Sequence, residues 1–375
     1  MLSLSARPNL RKQVWALSYP IILSNLFIPL PGIVDTIVLG RLGDESFLGG
    51  VALSTVIYSF LYWGVAFLRK GTTGLGAQAN GANDQQELWS VFFRAILLAI
   101  IISVLLLTLK GFIADFAFWC FEASSQVEAH AYVYYDIRIW GAPASFLNFV
   151  IIGWLLAVKD SKRPMILQII INCLNVVLDL VFVLYLDMTV DGVALATVIA
   201  EYVGLAIGIL FILSYRHKWP SKGIDLARIV DSQKLKRLLV VNRELLVRSV
   251  LLMFAFAYQT SEAAKVSDSF LAAMVILGHL FHICSFGLDG FAHACESLVG
   301  NAIGARDRHK FSMVVTASFE MGLIVALLMA AAYFIGGDLW ISIFTNISDL
   351  QLLTKEYLLW MVAMPILGMW CFIFD

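Results

Sequence analysis

Long apolar runs separated by short polar interruptions make up nearly the whole chain, and ten of the runs are long enough to cross a bilayer as helices. They fall at 14–39, 47–68, 88–109, 131–157, 164–186, 191–214, 238–261, 269–292, 311–335 and 354–375. A hydrocarbon core about 30 Å thick needs about 20 apolar residues in helical form, and lipid offers a strand edge no hydrogen-bond partner. The pattern predicts an all-α polytopic membrane protein. Two interruptions are longer than the others. Residues 110–130 contain the amphipathic stretch Phe112 to Phe121, and residues 215–237 carry Arg216, Lys218, Lys222, Arg228, Lys234, Lys236 and Arg237.

One charge stands out inside these runs. Asp35 lies in the first, which also holds Pro20, Pro29 and Pro31. An Asp at the centre of a membrane helix costs roughly 2.5 to 3.5 kcal/mol, so it normally faces a partner or a wet cavity and points to function. Pro29 and Pro31 remove the backbone donors for the carbonyls of Asn25 and Phe27, which predicts a hinge one to two turns before the carboxylate, with Pro20 as a third hinge position.

Composition agrees with the membrane reading: 60% of the 375 residues are hydrophobic and 14% are charged, against about 25% charged in soluble domains. The five cysteines show no framework spacing and read as small apolar residues. The first run is too long for a signal-peptide core, so it is expected to be an uncleaved helix. Placing the N-terminus in the cytoplasm puts the 69–87, 158–163, 215–237 and 305–310 segments inside, and leaves only Arg41, Lys110, Lys265 and Lys355 in outer loops. That is the distribution the positive-inside rule expects. The basic 215–237 stretch reads as a topogenic linker, not as a nucleic-acid site.

The chain also repeats itself. A shift of 223 positions lays Leu75, Ala79, Gly81, Ala82 and Asp84 over Leu298, Ala302, Gly304, Ala305 and Asp307, and a shift of 222 lays Pro143 over Pro365. Two parallel lobes follow: 1–214 with six spans, a cytoplasmic linker 215–237, and 238–375 with four of an expected six. The second lobe ends within its tenth-span helix, so the natural protein is expected to continue by about two helices. Duplicated helical lobes around a midplane cavity are the usual plan of a secondary transporter.

The segments Pro31-Gly-Ile-Val-Asp35-Thr-Ile-Val-Leu-Gly40, Gly76 to Gly81, Trp140-Gly-Ala-Pro143 and Asp289-Gly-Phe-Ala-His-Ala-Cys-Glu296 resemble the multidrug and toxic compound extrusion (MATE) family, in its DinF-like branch. The resemblance covers essentially the whole chain. It implies a two-lobed antiporter of the bacterial inner membrane, expected as a monomer, that exports bulky and often cationic drugs in exchange for protons or sodium ions. It also matches Asp35, Asn148, Asn175, Asp179 and Thr197, one by one, to the polar set that family members use for cation coupling.

Read without the resemblance, these residues point the same way. The fifth span carries Asn172, Asn175 and Asp179, and the i,i+4 step from Asn175 to Asp179 puts those two on one helical face. If Asp35 and Asp179 face one cavity, burial and repulsion disfavour ionising both at once. Protons are the expected coupling ion; the oxygens of Asp35, Asn175, Asp179 and Thr197 would also suit sodium. Interhelical hydrogen bonding alone is the competing reading of Asn148, Asn172 and Thr197.

The duplication carries one more hint, because Asp35, Pro20, Pro29 and Pro31 fall on Tyr258, Arg243, Leu252 and Phe254. Coupling chemistry is therefore expected in the first lobe. In the second lobe, Asp289, His293, Glu296 and Asp375 form a candidate polar site, either a cation site or a wet cavity lining. His279 and His282 lack a third ligand, and the glycines at 71, 74, 76 and 81 read as close helix packing, not as a phosphate cradle. Gly204 and Gly208 read likewise. No nucleophile–base set or HExxH motif appears, so neither an enzyme nor a cofactor is expected.

Phe27, Phe60, Tyr62, Trp63, Phe146, Phe149 and Trp154 are candidates for lining a drug cavity. The alternatives are a sodium-coupled carrier, a lipid exporter or flippase on a similar scaffold, and a non-transporting receptor or assembly factor. The acidic residues at membrane depth weigh against the last.

Overall fold

The computed structural model describes residues 7–42, 45–121, 124–220, 223 and 225–374. The chain runs through α1 (Arg7–Asn25), α2 (Leu30–Leu39), α3 (Glu45–Val65), α4 (Phe67–Gly81), α5 (Gln85–Thr108), α6 (Lys110–Cys120), α7 (Ser125–Arg138) and α8 (Ala142–Ala157). It continues with α9 (Lys162–Leu184), α10 (Val190–Leu213), α11 (Leu226–Ile229), α12 (Ser232–Val266), α13 (Asp268–Gly304), α14 (Arg308–Phe344) and α15 (Ser348–Phe374). Among the described residues there is no strand. Nine helical stretches among them are long and apolar enough to cross a membrane, which makes this a multi-pass membrane protein. The 238–261 run is not one of the nine. It lies inside α12, where Arg243, Glu244 and Arg248 lower its apolarity.

Packing divides the chain into two compact units. One is Leu26–Leu246; the other combines the described residues of Met1–Asn25 with Val247–Asp375. The basic linker marks boundaries at 214 and 238 in the sequence, whereas packing places α1 with the later helices. The cause is a core in which Leu10, Val14 and Leu17 of α1 are buried together with Phe291, Ala294 and Leu298 of α13 and with Val314 and Ala317 of α14. Much of the linker is held within the larger unit: Trp89 Nε1 donates to Lys218 O at 2.9 Å, and Lys234 pairs with Glu87, which also holds the buried Arg94. Lys222 lies outside the described residues.

The sequence repeat has a local structural counterpart in each unit. Asn83 and Arg306, 223 positions apart, both have positive φ, at 56° and 55°. Asp84 N bonds to Ala79 O at 3.1 Å and Asp307 N to Ala302 O at 3.0 Å, the closing bond that satisfies a helix C-terminus. Both aspartates then cap the next helix, accepting from Glu87 N and Lys310 N. The repeated residues are therefore a helix stop and a helix start packed into one tight turn.

Close packing by glycine is visible at four of the six positions the sequence suggests. A Cβ on Gly76 would meet Ala157 Cβ at 2.9 Å, and one on Gly208 would meet Ile151 Cδ1 at 3.0 Å. Gly71 and Gly204 are closed off by Asn242 and Ile171. The amphipathic stretch forms α6, with Phe112, Phe116 and Trp119 exposed at helical spacing.

Candidate functional site

The first span is broken where its prolines predict. α1 ends at Asn25 and α2 starts at Leu30, with Pro29 at the N-cap and Pro31 in the first turn, where a missing N–H costs nothing. Pro20 behaves differently: α1 runs through it, so the break belongs to Pro29 and Pro31. The carbonyl of Phe27 receives a hydrogen bond from Asn172 Nδ2 on α9 at 2.9 Å.

Beyond the break, α2 turns Asp35 inward along with Val38 and Leu39. On α9, Asn172, Asn175 and Asp179 are all buried; the i,i+4 step joins the last two as expected, and Asn172 at i−3 from Asn175 lies on the same face. The carboxyl groups of Asp35 and Asp179 face each other closely enough to interact side chain to side chain, and a proton shared between two such groups relieves their repulsion. Oδ1 of each is buried without a partner. Next along the face, the Asn175 carboxamide sits between Asp179 and Thr197. With its nitrogen toward Asp179 it donates to Oδ2 at 3.1 Å, and its oxygen accepts from Thr197 Oγ1 at 3.0 Å. The contact with Thr197 Oγ1 is made whichever end of the amide faces it.

Four of the five first-lobe polar residues therefore come together. Asn148 is the one drawn elsewhere: its Nδ2 donates to the backbone carbonyl of Glu201 on α10 at 3.0 Å. Glu201 belongs to a pair that motif reasoning passes over. Arg138, at the end of α7, makes two hydrogen bonds to it and a third to Tyr62, all in a buried setting. The signal was in the sequence, since each is a charge inside an apolar run. The cost argument that singles out Asp35 applies to them equally.

Three of the seven aromatic candidates have structural work to do. Phe146 and Trp154 are fully buried, and Trp154 donates to Leu88 O while packing on Trp89. Tyr62 holds Arg138, and Phe60 is exposed. The side chain of Trp63 lies outside the described residues.

In the other unit, His293 Nδ1 is 3.7 Å from Glu296 Oε2, the expected i,i+3 neighbour. Asp289 accepts from Ser285 Oγ at 3.3 Å. Asp375 lies outside the described residues. His279 stacks on Phe344.

Comparison with known proteins agrees with this architecture. The MatE family model matches residues 20–181 and 245–374. The chain is 39% identical over 366 residues to DNA damage-inducible protein F of Escherichia coli K12, covering 97% of this chain and 79% of that protein. A probable multidrug resistance protein NorM of Thermotoga maritima is 27% identical over 205 residues, covering 53% of this chain and 44% of the relative. Among solved structures, a MATE in complex with MaL6 superposes with a TM-score of 0.87 at 22% identity, covering 97% of this chain and 81% of that one. An outward-facing multidrug resistance MATE family transporter gives 0.87 at 22% identity, with 97% and 82% covered. The chain belongs to the MatE family, in its DinF-like branch.

Proposed function

We propose that the chain is a proton-coupled efflux antiporter that exports amphipathic, often cationic compounds across the bacterial inner membrane, with its N-terminus in the cytoplasm. The observation that carries this reading is the contact between Asp35 and Asp179. Two buried carboxyls that share a proton take up a second when the acidic side of the membrane is open to them, and release it on the other side. Each proton gained removes negative charge from the site, which weakens its hold on a cationic substrate. Proton entry and substrate exit are thereby opposed.

A sodium-coupled cycle is the second reading. It is favoured by the unpartnered Oδ1 atoms of Asp35 and Asp179, which with the oxygens of Asn175 and Thr197 make an oxygen-rich donor set of the kind a hard cation takes.

The test is drug resistance in an efflux-deficient strain carrying Asp35→Asn or Asp179→Asn at matched membrane expression. Loss of resistance in both is expected, and undiminished resistance overturns the assignment. Replacing sodium with choline in proteoliposomes at a fixed pH gradient separates the ions. Unchanged transport favours protons, and abolished transport favours sodium.

A further inference from the structure

In an uninterrupted helix the carbonyl of Phe27 would accept from the N–H of residue 31, but that residue is proline and has none. Leu30 N reaches this carbonyl one residue early at 3.3 Å, and the side chain of Asn172 supplies the second, shorter bond at 2.9 Å in place of the missing donor. Its amide cannot easily turn over, because Gln168 Nε2 donates to Asn172 Oδ1 at 3.1 Å and so keeps the nitrogen toward Phe27. Asn172 is buried at 6% exposure, where an unmade hydrogen bond is costly.

The position of this bond matters as much as its existence. Asp35 follows Phe27 by eight residues and Asp179 follows Asn172 by seven. At about 1.5 Å per helical residue the two steps advance about 12 and 10 Å. Two contacts between α2 with its preceding turn and α9, Phe27 with Asn172 and Asp35 with Asp179, thus lie at matching heights on helices that run in the same direction.

We propose that Asn172 is a positioning residue: by supplying the donor that Pro31 lacks, it fixes the broken form of the first span and sets the register that brings Asp35 opposite Asp179. It touches neither carboxylate in this role. The consequence for transport rests on the antiport reading above; the bond itself does not, so the two fail separately.

Hydrogen–deuterium exchange on the detergent-solubilised full chain tests it. Asn172→Ala is expected to speed exchange across residues 26–34 by about tenfold, the size expected for losing one buried hydrogen bond, and to leave peptides of α8 unchanged. Pro31→Ala restores a backbone donor to the Phe27 carbonyl, so in that background Asn172→Ala is expected to have little effect on the same residues. Gln168→Leu, which frees the amide without deleting it, is expected to give a smaller increase and serves if Asn172→Ala accumulates poorly. The proposal is overturned by unchanged exchange at 26–34 in whichever variant is measured. It is equally overturned by an increase that spreads to α8, or by one that persists in full with Pro31→Ala.

Discussion

Arg138 and Glu201 grip each other through two roughly parallel hydrogen bonds, Nη1 to Oε2 at 3.0 Å and Nη2 to Oε1 at 2.7 Å. The guanidinium carbon also lies 5.2 Å from the ring centres of both Tyr58 and Tyr62. A fork matched to a carboxylate and packed against aromatic rings is the arrangement in which arginine has no substitute among side chains. The pair ties α7 to α10 beside the acidic site, and Asn148 hangs on the backbone of the same glutamate.

Removing one member would strand the other. Arg138→Met or Glu201→Leu alone is expected to lower stability by about 3 to 5 kcal/mol, whereas the double variant costs little, because desolvation offsets most of a buried pair's attraction. Thermal unfolding of the detergent-solubilised protein, compared across the four members of the cycle, measures this. Additive single effects would mean that the two charges act independently.

Gly141 belongs to the same arrangement for a steric reason. A Cβ there would collide with Glu201 Oε2 and come within 2.7 Å of Arg138 Nη1. Gly141→Ala is expected to cost about 1 to 3 kcal/mol by overpacking. In an Arg138→Met/Glu201→Leu background the collision is altered, and the cost is expected to shrink. The same unfolding assay reads both.

Thr197 supports Asn175 through Oγ1. Thr197→Val removes that oxygen while nearly preserving shape, leaving the buried amide one hydrogen bond short and held at that end by the backbone N–H of residue 197 alone. Proton-driven substrate uptake in proteoliposomes is expected to fall about fivefold, the equivalent of roughly 1 kcal/mol, and Thr197→Ser is expected to restore most of it. Equal loss in both variants would show that packing, not the hydroxyl, is what Thr197 contributes.

Outside the membrane spans, Tyr215 donates to Asp160 Oδ2 at 2.8 Å. Burial first, then the hydrogen bond and charge of Asp160, push its hydroxyl up from 10.0 to about 12. A folded-state value above the unfolded one contributes stability that is fully present below pH 10 and is lost as pH rises towards 12. The wild type is therefore expected to lose more stability than Tyr215→Phe across that window, as followed by unfolding at stepped alkaline pH.

The broken first span was readable because it depends on residues a few positions apart: Pro29 and Pro31 decide locally where an N–H is absent. The helix stop at Asn83–Asp84 and its copy at Arg306–Asp307 were likewise readable, as a repeat, before their geometry was known. Asn148 illustrates the opposite case. Its residue type and depth suited the acidic site, yet a helix turns about 100° per residue, and its face in α8 presents it to Glu201. Pro20 had the same chemistry as Pro29 and Pro31, but a single missing bond did not break α1.

By itself, the sequence determined the membrane class, nine of the ten spans, the repeated helix stop and the presence of an expensive carboxylate, because hydropathy, proline chemistry and internal repetition are properties of short stretches of chain. Tertiary structure decided that Asp35 meets Asp179, that Asn172 serves the carbonyl of Phe27, and that Arg138 and Glu201 neutralise each other. Those pairings join residues far apart in the chain, and they depend on helix rotation and register. Both are set by packing summed over whole interfaces.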